Sequence, residues 1–463
     1  MLKPYLLLPL KHWFQRITQS IAFYPAVLGL LGVGLAVAVI YFDSTVLNVS
    51  DYLRLKLPIF AVPEQDTMSG LMTFLAGSVL SMMVFSFSMV MLLLNQAANR
   101  FSPRVLPSLT GVKKHQLILG LYLAAVFYDV IVTIAIKPDQ VDPIDINLAV
   151  WVGVGLSSLC FFAFIYFIDS ISRSIRVDSI LTQLRADTVQ QLDALVDNSL
   201  DPAQARVAFI RTTAWYGCVS TQTGYLGSID QQRLLALCQK HQVKIEVHPF
   251  RGQFVLAQTL LLESSRSLAD SVLDELRSCF YFSRDEREAL SDNHLAGFQQ
   301  LAEIGVRAMS PGINDPMTAV STLEVLTELF AQRVQCSPDL YWGVPAQLDK
   351  SDLVDQTIDQ AWICMKGIAH TELLYQVMVS YRRYCSGDVS CLQSMLRLLS
   401  YLYHQPVMTQ ADQHEVMAEA ARVRDDARLA LQNAYDIHRI EQLYAQIAHA
   451  YVAPTNHSGP VMS

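Results

Sequence analysis

The residues able to do chemistry fall mainly along apolar helical stretches. Ser78, Ser81, Ser88 and Asn95 recur at offsets of three and seven in a run from Thr67 to Asn99 that carries no charge. Those offsets place them on one stripe of a helix, with Phe74, Phe85 and Leu92 completing the line. Such a stripe can line an aqueous path, or it can pack on another helix, because a serine also bonds back to its own turn. Under the first reading Ser78, Ser81, Phe85, Ser88 and Asn95 are pore-lining candidates. Arg100 and Arg104 close the stripe. They either anchor the helix end, with the chain turning at Pro103, or form a basic inner mouth that favours anions.

Asp129 lies inside a second apolar run, LAAVFYDVIVTI. An acid at membrane depth costs about 2.5–3.5 kcal/mol on insertion scales and faces protein or water. It is either a cation or proton site, or an interfacial carboxylate two turns before Lys137 that bonds to a neighbouring Ser or Tyr. A third candidate is the turn Ser310-Pro311-Gly312-Ile313-Asn314-Asp315-Pro316. Asp315 can cap the following helix, with Pro316 at its first position. Alternatively, Asn314 and Asp315 with backbone amides present a ligand or anion site. Arg284 to Arg287 and Asp292-Asn293-His294 read as solvated helix starts.

The eight cysteines form no CxxC pair, and the eleven histidines are dispersed without an HExxH or Cys/His grouping. Reduced core thiols are expected, with no metal and no cofactor. No GxSxG, Walker loop or GxGxxG occurs, and no catalytic set is readable, so an enzyme is the weakest reading. A formal net charge of -8 carries no basic excess, and no nucleic-acid partner is expected.

These residues must be positioned by membrane helices. The chain is 52% hydrophobic and 16% charged, well below the charged fraction of a soluble domain. Four apolar runs, about 22–42, 67–99, 116–136 and 148–168, have bilayer length. The first carries Gly29, Gly32 and Gly34, suited to close helix packing. Basic residues flank the N-terminal segment, the second loop (Arg100, Arg104, Lys113, Lys114) and the end of the fourth run (Arg173, Arg176), whereas the first and third loops are acidic on balance. That alternation predicts both termini on the cytoplasmic side of a bacterial inner membrane.

The expected fold is an α-helical membrane domain of four spans followed by a cytoplasmic α+β domain with a small β-sandwich and a mainly helical C-terminal part. The boundaries are an interfacial segment at 1–20, spans over 21–170, a helical connector at 171–200, a β-rich domain at 201–265, a helical domain at 266–452 and a disordered tail at 453–463. Asp230 to His241 reads as a short helix capped by Asp230. Arg251-Gly252-Gln253-Phe254-Val255 resembles a hairpin of biotinyl- and lipoyl-like domains, with Gln258 near the usual place of the second glycine. No Met-Lys-Met target is present.

RAMSPGINDPMTAVSTLEVL, together with the Phe101-Ser102-Pro103-Arg104 turn and the Gly252-Gln253-Phe254-Val255 hairpin, resembles the bacterial predicted-membrane-protein family called domain of unknown function 2254. The resemblance covers nearly the whole chain. It implies an inner-membrane protein with an N-terminal multispan region and a cytoplasmic domain, and no established reaction.

The favoured expectation is an oligomeric channel-like protein, its second span lining a pathway and its cytoplasmic domain gating. The alternative is a non-conducting membrane-anchored sensor or scaffold that binds a ligand or partner through that domain. Expected partners are the lipid bilayer, further copies of the chain, and an ion or small ligand.

Overall fold

The computed structural model describes residues 22–43, 65–100, 113–136, 147–174, 177–197, 200, 202–211, 214–290, 293–343 and 361–452. The expected interfacial segment at 1–20, the Phe101–Arg104 turn and the tail at 453–463 lie outside them. The chain divides into two compact units, Met1–Ser179 and Ile180–Ser463.

The first unit contains four helices long and apolar enough to cross a membrane. They are α1 (Phe23–Phe42), α2 (Gln65–Arg100), α3 (Lys113–Ala135) and α4 (Asn147–Ser174). With 36 residues, α2 is about 54 Å long and exceeds a bilayer core. The most buried of the four spans is α3, which touches each of the others. The seam between α1 and α3 depends on glycine. A Cβ at Gly32 would sit 2.3 Å from the Ala124 carbonyl oxygen, and one at Gly120 would sit 2.5 Å from Leu28 Cδ1. Gly29 and Gly32 are buried, whereas Gly34 faces open space. Tyr128 closes the α3–α4 seam by donating from its hydroxyl to the Ala149 carbonyl at 2.9 Å.

The second unit includes α5 (Val177–Asp197) from Ile180 onward, then the short helix α6 (Pro202–Ala205), which continues as a 3₁₀ turn over Arg206–Phe209. Next come β1 (Tyr216–Val219), β2 (Gly224–Ile229), α7 (Gln231–His241), β3 (Ile245–Val247), β4 (Phe254–Val255) and β5 (Leu260–Ser264). They are followed by α8 (Asp270–Arg277), β6 (Phe280–Ser283), α9 (Glu286–Ala289), α10 (His294–Ala308), α11 (Pro316–Arg333), β7 (Leu340–Gly343) and β8 (Ala361–Met365). Helices α12 (His370–Cys385), α13 (Val389–Tyr403), α14 (Gln410–Ala430) and α15 (Ala434–Val452) end the unit.

The strands form a five-stranded sheet in the order β1-β5-β3-β8-β7 and a three-stranded antiparallel sheet β4-β2-β6. The larger sheet is antiparallel except where β3 pairs with β8 in parallel, Ile245 opposite Ile363. The β-rich segment at 201–265 is therefore not a self-contained sandwich. Three strands come from residues 280–283, 340–343 and 361–365, within the region expected to be helical. Nor do β4 and β5 form one hairpin, because they belong to different sheets. The parallel pairing explains the miss: its partner lies more than a hundred residues away, beyond the reach of local pattern.

Both sheets share one core with α7 and α8, built on Leu226, Leu234, Ile245, Leu262, Leu276 and Ile363. On the other face of the large sheet lies a smaller cluster of Ala205, Tyr341 and Cys364 with Phe209. Asp230 caps α7 as expected, accepting from the Arg233 amide at 3.1 Å. The expected glycine-like position is Gln258, whose φ is +70°. The helices α10 to α15 pack as a bundle, with Phe298 of α10 and Phe330 of α11 in ring contact at 4.8 Å. All eight cysteines are unbridged, and seven are buried.

Candidate functional site

Most of the stripe on α2 faces away from its own unit, although the Phe85 ring meets Phe164 of α4 edge-on at 5.7 Å. Ser81, Phe85, Ser88 and Asn95 are exposed, and Ser78 is half-buried. The three serine hydroxyls donate to carbonyls four residues back, Phe74 at 2.8 Å, Gly77 at 2.9 Å and Val84 at 2.9 Å. The helix itself therefore satisfies them. Arg100 ends α2, and Arg104 lies outside the described residues.

Asp129 lies on the inner side of the same unit and is fully buried. Its Oδ2 accepts from the Ser157 hydroxyl of α4 at 3.0 Å. Gly153 leaves room for it, since a Cβ there would meet Oδ1 at 2.9 Å and Met72 Sδ at 3.0 Å. The bond to a neighbouring serine is as the second expected reading had it, whereas the position is buried and not one that snorkels toward an interface. The carboxyl is held between α3 and α4, and the structure does not bring it to the exposed stripe.

The turn before α11 has the geometry of a helix cap. Asp315 accepts from the Thr318 amide at 3.2 Å and from its hydroxyl at 2.7 Å, and Pro316 starts the helix. The amides of Ile313, Asn314 and Asp315 donate to the carbonyls of Ser310, Ser310 and Ala308. Asn314 takes the left-handed conformation, φ +48°, that the turn requires. These contacts use the amides that would otherwise face an anion.

The sequence reading did not single out a further polar site. A cavity of about 660 Å³ lies within the second unit, walled by α5, the starts of α7 and α10, the end of α11 and the strands β7 and β8. Its size suits a small organic molecule. Asn293 and His294, which read as a solvated helix start, are instead buried at its wall.

Arg333, the last residue of α11, is 2% exposed. It lies on the buried stripe that carries Leu326, Leu329 and Phe330. Its partners are neutral: Nη1 donates to the Cys336 carbonyl at 3.2 Å and to His370 Nδ1 at 3.2 Å, and Nη2 donates to the Ile368 carbonyl at 3.0 Å. Nε is buried without a partner. Burial pushes the guanidinium below its ordinary range, yet arginine stays charged in proteins. A buried charge without a counter-charge is costly.

His294, the first residue of α10, is 8% exposed, and its Nε2 has no partner. Burial first, then the charges of Arg333 and Arg251, lower its pKa to about 3. It is neutral near pH 7.

Arg251 reaches the wall from a turn that needs glycine. Gly252 has φ +89°, and a Cβ there would sit 2.3 Å from Leu290 Cδ2. The Gly252 amide donates to the Leu226 carbonyl at 2.7 Å. Arg251 Nε donates to the Gly227 carbonyl at 3.0 Å, and Asn293 Nδ2 donates to the Arg251 carbonyl at 2.7 Å. The cavity thus gathers two arginines, a neutral histidine and two helix starts, beside apolar Phe250, Leu340 and Trp342, with one acid, the exposed Asp187 of α5, in its wall. Positive charge and free donors suit binding of an electron-rich group. Among the described residues no group of three or more His, Cys, Asp or Glu is placed to hold a metal.

The chain is 23% identical over 339 residues to an uncharacterized protein of Mycobacterium bovis and, equally, to one of Mycobacterium tuberculosis. The alignments cover 72% of this chain, which spans 63% of the length of those relatives. No solved structure matches it. Residues 18–401 match the family described as predicted membrane protein, and with four membrane-length helices in that range the chain belongs to the family of domain of unknown function 2254.

Proposed function

We propose that this protein is a membrane-anchored sensor whose second unit binds a small ligand in the cavity bordered by Arg333, His294 and Arg251. The observation that carries the reading is the pair of buried, unpartnered nitrogens, Arg333 Nε and His294 Nε2, on residues that line one enclosed space. A fold that buries donors without partners loses stability unless something fills the site. Connectivity supports a signalling role. Asp187, Gln190 and Gln191 of the cavity wall belong to α5, which is separated in sequence from the end of the last membrane helix by two residues. The alternating loop charges support a bacterial inner-membrane location with the second unit cytoplasmic. No reaction is assigned.

Hydrogen exchange on the full chain in lipid nanodiscs tests the reading. A panel of neutral, cationic and anionic small molecules should contain at least one that protects amides of α5 and the start of α10. A panel with no protecting member overturns it.

A second reading, the oligomeric channel, is favoured by one observation: the Ser81–Asn95 stripe lies on an uncovered face of α2. Its hydroxyls are already bonded to their own helix, so the stripe does not require water. Ion flux in liposomes separates the readings, because a sensor conducts nothing at any voltage or tension.

A further inference from the structure

We infer that the ligand of this cavity is an organic anion, with its oxyanion head against Arg333, His294 and Arg251 and its apolar body against Trp342 and Leu340. The inference rests on the proposed ligand-binding role and adds the ligand's chemical class.

Arg333 brings a positive charge with no ionic partner to the cavity. Arg333 is 2% exposed and every one of its hydrogen-bond partners is neutral. A guanidinium of ordinary structural use is paired with a carboxylate when buried this deeply. Arg382 shows the contrast: its side chain is also largely buried, and it is paired with the buried Glu419 at 2.9 Å. At the Arg333 site the protein supplies the cation and leaves the Nε–H unused.

Further donors belong to residues of the same lining. Helices α7 and α10, of 11 and 15 residues, both begin at the cavity, with Gln231 and His294 in its wall. The start of α7 is already capped by the Asp230 carboxylate, whereas α10 is capped by the neutral Asn293, so the partial positive charge at the start of α10 is the one that favours an anion. His294 has a buried, unpartnered Nε2 and is neutral, so it can donate one hydrogen bond without adding a charge. Arg251 adds a second cation.

The lining also has an apolar part. Trp342 is 9% exposed, and Leu340 and Met365 stand beside it in the same cavity. An inorganic ion would leave that part and most of the 660 Å³ unused. An oxyanion carried on an apolar body of one ring or a short chain fills both parts.

Titration calorimetry on the full chain in nanodiscs tests the class with a matched set: phenylacetate, phenyl phosphate, acetate, phenylacetamide and phenethylamine. The expected result is that phenylacetate or phenyl phosphate binds at least tenfold tighter than acetate and than the neutral amide, with no binding of the amine. Arg333→Met should weaken that anion at least tenfold. Should Arg333→Met fail to fold, His294→Gln and Arg251→Ala carry the test, each weakening the anion more than the amide. If the amide or amine binds as tightly as the anions, the anion class is wrong while ligand binding stands. If none of the five binds, the class is also wrong, and the panel in the exchange experiment decides the broader reading separately.

Discussion

Arg333 Nη1 donates to His370 Nδ1 across 3.2 Å, and this contact sets the protonation of the imidazole. A guanidinium only donates, so Nδ1 must be the accepting nitrogen and the ring proton sits on Nε2. Burial and the Arg333 charge lower His370 to about 4, against a smaller opposing effect of Asp412. The same guanidinium helps to hold His294 near 3. Burial, reinforced by one buried cation, thus keeps two histidines neutral, and both belong to the α10–α12 packing that supports the cavity.

The two histidines predict an acid-sensitive fold. Their folded values lie below the ordinary 6.5, so the unfolded chain binds more protons at acid pH. The stability they contribute is complete above about pH 6.5 and falls as pH drops toward 4 and then 3, at about 1.4 kcal/mol per pH unit for each histidine. Denaturant unfolding of the full chain between pH 8 and pH 4 should show this slope. His294→Gln with His370→Gln should flatten it, and an unchanged slope in the double variant would refute the assignment.

Arg333 should behave as a binding group and not as a structural one. Deleting one partner of a buried ion pair costs about 3–5 kcal/mol, because a charge is left alone. Arg333 has no ionic partner, so Arg333→Met removes an uncompensated charge and loses three neutral hydrogen bonds. Without ligand, the stability of Arg333→Met should lie within about 2 kcal/mol of wild type. A loss of about 4 kcal/mol would mean that the guanidinium holds the fold together.

Arg333 also shows where sequence reasoning stopped. The four membrane helices were legible because bilayer length and an absence of charge are local properties. So was the Asp230 cap, a matter of three residues. The cavity joins residues from 187 to 368, and its sheet depends on the β3–β8 pairing, which no local period signals. Even so, Arg333 falls three and four residues after Phe330 and Leu329, on an apolar stripe, and an arginine there is a usable signal of buried charge. Asn293 and His294 carried no such mark. The cap that Asn293 provides, accepting from the Leu295 amide at 3.1 Å, fits an exposed helix start equally well.

Gly297 should be intolerant of any side chain. A Cβ there would fall 1.8 Å from Thr188 Oγ1 and 2.9 Å from Thr188 Cβ, where α5 crosses α10. Gly297→Ala should cost about 1–3 kcal/mol by overpacking. Thr188→Ala removes the nearer atom and should recover part of that loss. A double-mutant cycle reads the coupling directly, and additivity of the two changes would disprove the contact.

The exposed stripe of α2 gives opposite outcomes under the two functional readings. Each serine hydroxyl is bonded to its own helix, so replacing Ser81 and Ser88 with Leu removes no contact to another helix of the same unit. If the stripe faces lipid, Ser81→Leu with Ser88→Leu should leave the oligomeric state and thermal stability unchanged, because leucine is favourable in hydrocarbon. If the stripe lines a path between copies, the same substitutions should abolish liposome flux and alter cross-linking through Ser81→Cys. The sensor reading expects the first result together with unchanged ligand protection of α5. Loss of a measurable conductance would reject it in favour of the channel.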